Sequence, residues 1–304
     1  MTYSLVARDP ESGQLGVAVQ SHFFSVGSVV TWAEPGVGVV ATQAFAEVSY
    51  GPRGLQLMRT GRSAAGALGE LLDQDPGEAA RQVAMIDSAG RVAVHTGQNC
   101  VPEAGHRVGS QVSAQANMMR RDRVWDAMLD AYLGDGGDMP SRLLAGLDAG
   151  EREGGDLRGR QSAALLVVGG KRSEEPWREH VCDLRVEDHP EPLRELRRLV
   201  DLGRAYDRIE RAEELTLAKN LEAALAEYEA AEAAAPGNME PVFWRGVTLA
   251  AAGRVDEARP VLAKAFDAHE GWRELLRRLP ASGLLPDDPQ LLRSLMPEWE
   301  ASNQ

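Results

Sequence analysis

Residues 1–20, MTYSLVARDPESGQLGVAVQ, decide how the rest of the chain is read. Tyr3 to Ala7 and Gln14 to Gln20 are strand-like runs, and Asp9-Pro10-Glu11-Ser12-Gly13 between them holds the turn formers. Proline presets φ, aspartate bonds its own backbone, and glycine supplies a positive φ, so the stretch predicts a β-hairpin. Thr2 follows Met1 directly and opens the first strand. Removal of Met1 would give Thr2 a free α-amine beside its hydroxyl, the minimal equipment of a threonine nucleophile that uses its own amine as base. A strand-forming threonine without chemistry accounts for the same residue, and the functional reading turns on which of the two it is.

Working outward, Gly27 to Trp32 and Val37 to Thr42 predict further strands. These runs are apolar almost throughout instead of alternating, which suits strands buried on both faces, as between two layers. From Gly51 to Leu72 the pattern changes: Leu55, Met58, Ala64, Ala67, Leu68 and Leu71 fall at helical spacing and predict two helices, the second capped by Ser63. Gln82 to Asp87 and Arg91 to Thr96 flank Asp87-Ser88-Ala89-Gly90 as a second hairpin. One strand is expected over Val108 to Ala114, helices over Asp122 to Leu133 and Pro140 to Ala149, and a buried strand over Ser162 to Val168 paired with Val181 to Val186. Strands, helices, strands, helices, strands is the order of an α+β fold with helices layered on sheet, not of regular βαβ units.

Beyond about Pro190 the composition shifts to Leu, Ala, Glu and Arg with no strand pattern, so two domains are expected, 1–190 and 191–304. A shift of 34 residues places Ala224 on Ala258, Tyr228 on Leu262 and Ala231 on Ala265. Gly246, the turn Gly253-Arg254-Val255 and Pro236 sit where a tetratricopeptide repeat has its close helix packing and its turns. Residues 205–270 thus resemble that repeat, and an all-α, tetratricopeptide-like C-terminal domain is expected. With about one and a half repeats where about three usually stand alone, these helices are expected to lean on the first domain or on a second subunit, and a protein partner and a homo-oligomer are expected.

The chain has 304 residues, with 33 Lys plus Arg against 46 Asp plus Glu, a net charge of −13. A field of that sign repels phosphate backbones and anionic membranes, so neither nucleic acid nor membrane is an expected partner. The two cysteines, Cys100 and Cys182, are too few and too far apart for a disulfide framework or a zinc site, and both read as buried apolar residues. No signal-peptide pattern is visible, and the most apolar stretch, Ser25 to Phe45, is broken by Glu34, Pro35 and glycines, short of the roughly 18 uninterrupted residues of a spanning helix. A soluble, cytoplasmic protein is expected.

There is no phosphate loop, H-E-x-x-H, G-x-S-x-G or C-x-x-C motif. Gly36-Val37-Gly38-Val39-Val40-Ala41 matches a dinucleotide fingerprint by letter, but a strand follows it where a helix N-terminus would have to bind pyrophosphate. The six histidines show no ligand spacing, and no metal or cofactor is expected. His22 stands out because it follows the Leu15 to Val19 strand, where side chains emerge at a sheet end. Gln43 and Asn117 place amides at strand ends, where they can serve as oxyanion donors or as loop caps. The loop Gly154-Gly155-Asp156-Leu157-Arg158-Gly159-Arg160-Gln161-Ser162 carries two arginines among glycines; its arginines suit a carboxylate, or pair with nearby acids.

Met1 to Pro10, Gly13-x-Leu15-Gly16-Val17-Ala18-Val19, Ala41-Thr42-Gln43, Tyr50-Gly51-Pro52-Arg53-Gly54, Gly105-His106-Arg107-Val108-Gly109, Gln115-Ala116-Asn117-Met118 and Gly155-Asp156-x-Arg158-Gly159-Arg160-Gln161-Ser162-Ala163 together resemble the bacterial family called domain of unknown function 1028. The resemblance implies an N-terminal-nucleophile hydrolase fold, a four-layer αββα sandwich, over about residues 1–190. Proteins of that wider fold expose a Thr, Ser or Cys and use it on amide bonds. It implies Thr2 as nucleophile, and the strand-end and loop residues His22, Gln43, Asn117, Asp156, Arg158 and Arg160 are then the candidate substrate-binding residues for a small-molecule or peptide-like amide. No lysine stands in the N-terminal strands, where proteasome-like members of the fold place one to lower the amine's pKa. The alternative is a non-catalytic module that binds a small ligand while its helical repeat recruits a partner.

Overall fold

The structure is a computed structural model that describes residues 2–296. The chain divides into two compact units, Met1–Val200 and Asp201–Gln304. The first opens with β1 (Thr2–Arg8) and β2 (Leu15–Ser21), followed by α1 (Gly27–Val30), β3 (Thr31–Glu34), β4 (Gly38–Ala44), α2 (Tyr50–Arg59) and α3 (Ala64–Gln74). Then come β5 (Arg81–Asp87), β6 (Val92–Thr96), β7 (Gly105–Gly109), β8 (Val112–Asn117), α4 (Val124–Gly134), α5 (Met139–Arg152), β9 (Ser162–Val168) and β10 (His180–Val186). The expected α+β class holds. The strands form two antiparallel sheets, a six-stranded one in the order β10-β9-β2-β1-β8-β7 and a four-stranded one in the order β3-β4-β5-β6.

The opening hairpin forms as its turn chemistry dictates. The Asp9 carboxylate accepts from the backbone N–H groups of Glu11 and Ser12 at 3.0 and 2.8 Å, and Gly13 takes φ +76°. Successive strand residues point to opposite faces. On β1, Tyr3, Leu5 and Ala7 join Met128, Leu143 and Leu147 of α4 and α5 in one buried cluster. Val6 faces the other way, with Val17 and Val19 of β2, and packs against Val39, Ala41, Ala84 and Ile86 of the four-stranded sheet. The outer face of that sheet, with Val40, Val83 and Met85, is covered by Tyr50, Met58, Leu68 and Leu71 of α2 and α3. Buried apolar clusters thus join the two sheets to each other and join helices to each sheet. Truncating one of the buried leucines or methionines, or Ile86, to alanine costs about 2–5 kcal/mol. Helix α5 approaches α4 and β1 closely because Gly150 has no Cβ, which would lie 2.8 Å from Met128 of α4 and 3.3 Å from Tyr3 of β1.

Two local expectations are corrected. Gly27 to Trp32 is not one strand: α1 intervenes before β3. The valines favour a strand locally, but one tertiary and one local side-chain bond override that preference. The Val26 N–H donates to Ser162 Oγ at 3.1 Å, and Thr31 Oγ1 donates to the Gly27 carbonyl at 2.8 Å. Nor is Val108 to Ala114 one strand, for Gln111 at φ +59° reverses the chain between β7 and β8. Its carbonyl and side-chain oxygen accept from the Arg8 backbone N–H and guanidinium at 2.8 and 2.6 Å, which holds a turn whose left-handed position is not a glycine. Cys100 is buried as expected; Cys182 is only half-buried.

The division between the units falls inside α6 (Pro192–Leu217), later than the composition shift near Pro190. Leu193, Leu196 and Val200 belong to the first unit's core, whereas Ala205, Ile209 and Ala212 pack with Tyr228 and Ala231 of the second. The second unit continues with α7 (Leu221–Ala234), α8 (Met239–Ala251), α9 (Val255–Ala268), α10 (Gly271–Arg278) and α11 (Pro289–Leu295). The six residues that the 34-residue shift superposes, Ala224, Tyr228 and Ala231 with Ala258, Leu262 and Ala265, are all buried. A Cβ on Gly246 of α8 would lie 2.6 Å from Leu262, so these helices meet where the side chain is shortest.

Candidate functional site

The inward faces of the two sheets are apolar toward one end and polar toward the other. Thr2 and Ser4 lie on the same face of β1 as Val6, and the antiparallel register sets Thr2 against Asn117 and Ser4 against Gln115 of β8. On the facing sheet, Gln43 of β4 pairs with Gln82 of β5. All six side chains are buried. A buried amide without partners is costly, so each must be satisfied internally.

Gln82 sits at the centre. Its Oε1 accepts from Gln43 Nε2 at 2.7 Å and from Asn117 Nδ2 at 3.0 Å, and its Nε2 donates to the carbonyls of Gly105 and Ala116 at 3.1 and 2.9 Å. Ser4 donates to Gln43 Oε1 and accepts from Gln115 Nε2, both at 2.7 Å. Gln43 and Asn117 also donate to the carbonyl of Thr2 at 3.4 and 3.3 Å. The network thus ends on the backbone of Thr2 and fixes it. The Thr2 hydroxyl lies 3.1 Å from that of Ser21, which sits on the same face of β2.

Above Thr2 opens a cavity of about 260 Å³, lined by Thr2, Ser21, Gln43, Asn117 and Arg158 together with apolar side chains from α1 and its flanks. Val26 and Val30 form its buried wall, while Phe23 and Phe45 stand at it with 51% and 64% of their surface exposed. Ala44 and Met118, which directly follow Gln43 and Asn117, also line it, and both adopt left-handed backbone at φ +69° and +59°. Such conformations cost a non-glycine residue about 1 kcal/mol or more and cluster at functional sites. Among the described residues the only ionisable side chain in the wall is Arg158.

The Gly-rich loop separates its charged residues. Asp156 is fully buried and does not line the cavity; its carboxylate accepts from the backbone N–H groups of His22 at 3.0 Å and Arg158 at 2.8 Å. It also holds the Arg158 guanidinium, Nη2 to Oδ2 at 3.3 Å. Arg158 reaches the wall. Arg160, two residues on, pairs with Glu151 at 2.8 Å and with Glu191, and is not part of the wall. Glu151 accepts in addition from the buried Tyr3 hydroxyl at 2.8 Å. Burial, reinforced by the Glu151 carboxylate, pushes the Tyr3 phenol well above its ordinary range, so Tyr3 is a neutral donor here. His22 lies beside the loop with its ring Nδ1 buried and without a hydrogen-bond partner, outside the cavity lining.

Of the residues singled out in the sequence, Thr2, Gln43, Asn117 and Arg158 come together at the cavity; His22, Asp156 and Arg160 do not line it. Sequence reasoning missed Ser4, Gln82, Ser113, Phe23 and Phe45. One signal was available: Ser113, Gln115 and Asn117 recur with period two, which places all three on one face of a strand.

The description "Family of unknown function (DUF1028)" matches residues 2–196. The chain belongs to this family. Its match covers β1 through the start of α6, hence the whole cavity wall. Among solved structures, the crystal structure of a Silicibacter pomeroyi protein of the same family is similar, with a TM-score of 0.60 and 32% sequence identity over 66% of this chain and 84% of that one. Comparison with curated proteins finds no match. No helix among the described residues is long and apolar enough to cross a membrane.

Proposed function

We propose that the first unit is an amide hydrolase of the N-terminal-nucleophile class, with Thr2 as nucleophile. The observation that carries this reading is the placement of Thr2: a hydroxyl in the wall of a cavity, bonded to Ser21, on a backbone that two buried amides hold by its carbonyl. The succession of helices, sheet, sheet and helices supports the αββα sandwich that the family resemblance implies. Met1 lies outside the described residues, and the reaction requires its removal.

In the reaction, the Thr2 α-amine takes the proton of Oγ1 as the oxygen attacks the substrate's carbonyl carbon. The C–N bond then breaks, and the proton passes from the ammonium to the departing amine. Water, deprotonated by the same α-amine, releases the acyl group as a carboxylate. The wall offers no histidine, lysine or carboxylate among the described residues to act in its place. Both N–H groups of the Asn117 amide are directed at Thr2 and Gln82. Gln43 and Asn117 therefore serve as positioning residues for the nucleophile and not as oxyanion donors.

The second reading is a non-catalytic binding module, favoured by that same lack of a side-chain base and by the absence of lysine from the N-terminal strands. In it the helices of residues 205–270, whose superposed repeat positions are all buried, form a tetratricopeptide-like platform for a protein partner or a second copy. Turnover of a panel of N-acyl amides by wild-type protein and by Thr2→Ala separates the two. The enzyme reading predicts a loss of about 10³-fold or more in Thr2→Ala. Equal rates, or no turnover by wild-type protein with Met1 removed, favour the binding module.

A further inference from the structure

We infer that the cavity takes an amphipathic carboxylate, an amide whose acyl part is a medium-length apolar chain and whose amine part carries a carboxylate. The assignment rests on the hydrolase reading for which half leaves, but not for what binds. Three features carry it.

The first is the apolar part of the wall. Val29 and Val30 of α1, the one-turn helix that interrupts an otherwise strand-like run, line the cavity with Val26, the residue before that helix, and with Phe45 and Val101. Val26 and Val30 are buried, whereas Phe23, Phe45 and Val101 are 51%, 64% and 37% exposed around the same space. Exposed aromatic surface gathered at the rim of a cavity marks a place where an apolar group is covered on binding.

The second is the size. A space of about 260 Å³ suits a short chain with a small polar head and excludes a folded polypeptide.

The third is Arg158. Its side chain is 39% exposed at the wall, and its guanidinium is held by Asp156, whose side chain has no exposed surface. A ligand that filled the cavity with hydrocarbon alone would strip water from this cation and offer nothing in exchange. A carboxylate replaces those bonds with charge-assisted ones to a donor whose orientation is already fixed. In a chain of net charge −13, it is also the local feature that gives an anion somewhere to settle.

The test uses the full chain carrying Thr2→Ala, which binds without turning over, and titration calorimetry with three probes: N-hexanoylglycine, its uncharged analogue N-hexanoylglycinamide, and the short-chain N-acetylglycine. N-Hexanoylglycine should bind about ten-fold or more tighter than either of the others. Arg158→Gln should erase the preference for the acid over the amide while leaving hexanoyl over acetyl intact. Should Arg158→Gln lose its folded circular dichroism, Arg158→Lys, which keeps the charge, should retain part of the preference. Equal binding of the acid and the amide, equal binding of the long and short chains, an unchanged preference in Arg158→Gln, or no binding of any probe would overturn the inference. Its failure is distinguishable from that of the hydrolase reading. Binding in Thr2→Ala without an acyl-enzyme in the wild type removes the hydrolase and keeps the site. Acylation of wild-type Thr2 by uncharged amides as fast as by acids keeps the hydrolase and removes the substrate class.

Discussion

Two polar clusters meet near Thr2, and they are built in opposite ways. Between the sheets, Ser4, Gln43, Gln82, Gln115 and Asn117 are buried, uncharged, and bonded to one another or to backbone carbonyls. In the loop before β9, Arg158 and Arg160 are each 39% exposed and paired with carboxylates. The first cluster has no freedom to rearrange without stranding an amide in a dry layer, where an unpaired group costs about 1–3 kcal/mol. In the second, the Arg160 pairs are screened by water and salt and contribute little to stability, whereas Arg158 is held by the buried Asp156 and keeps part of its side chain exposed. What must be rigid at this site, the backbone of Thr2, is tied to the buried network; what must meet a ligand, Arg158, is on the exposed one.

The comparison can be broken at its strongest point first. Gln82→Ala removes the acceptor shared by Gln43 and Asn117 and the donor to two carbonyls. A loss of about 3 kcal/mol in chemical denaturation is expected. A loss below about 1 kcal/mol would mean that the network is not the rigid element described here. At the other extreme, Arg160→Ala removes a part-exposed cation whose partners are Glu191, half exposed, and Glu151, which keeps its bond from Tyr3. It should change stability by less than about 1 kcal/mol and leave the affinity for N-hexanoylglycine unaltered. A ten-fold weaker affinity would place Arg160 at the ligand and dissolve the distinction between the two arginines.

The same contrast explains what could be read from the sequence. The β1–β2 hairpin was legible because Asp9 and Gly13 encode their turn locally. The β7–β8 hairpin was not, because its turn residue Gln111 is held by Arg8, a contact across about a hundred residues of chain. Thr2, Gln43 and Asn117 were visible as polar residues at the ends of apolar runs. Gln82 was not: it looks like any strand-opening residue, and its role comes from a sheet-to-sheet contact that no local pattern encodes. Arg158 and Arg160 were indistinguishable as two arginines among glycines. Gly159, at φ +103°, lies between them, and their side chains diverge, one to Asp156 and the cavity, the other to Glu151. The long apolar runs misled only where a tertiary bond to Ser162 and a local one from Thr31 wound Gly27–Val30 into a turn of helix, and that turn with the Val26 before it supplies the cavity's valine wall.

The claim on which the functional account rests is that Thr2 carries its own base. Intact-mass spectrometry of the protein purified from its native host tests this most directly. The account predicts a mass corresponding to Thr2 through Gln304, with Met1 removed and the α-amine unmodified. A mass that retains Met1, or an acetylated Thr2, would leave the hydroxyl without a base and contradict the hydrolase.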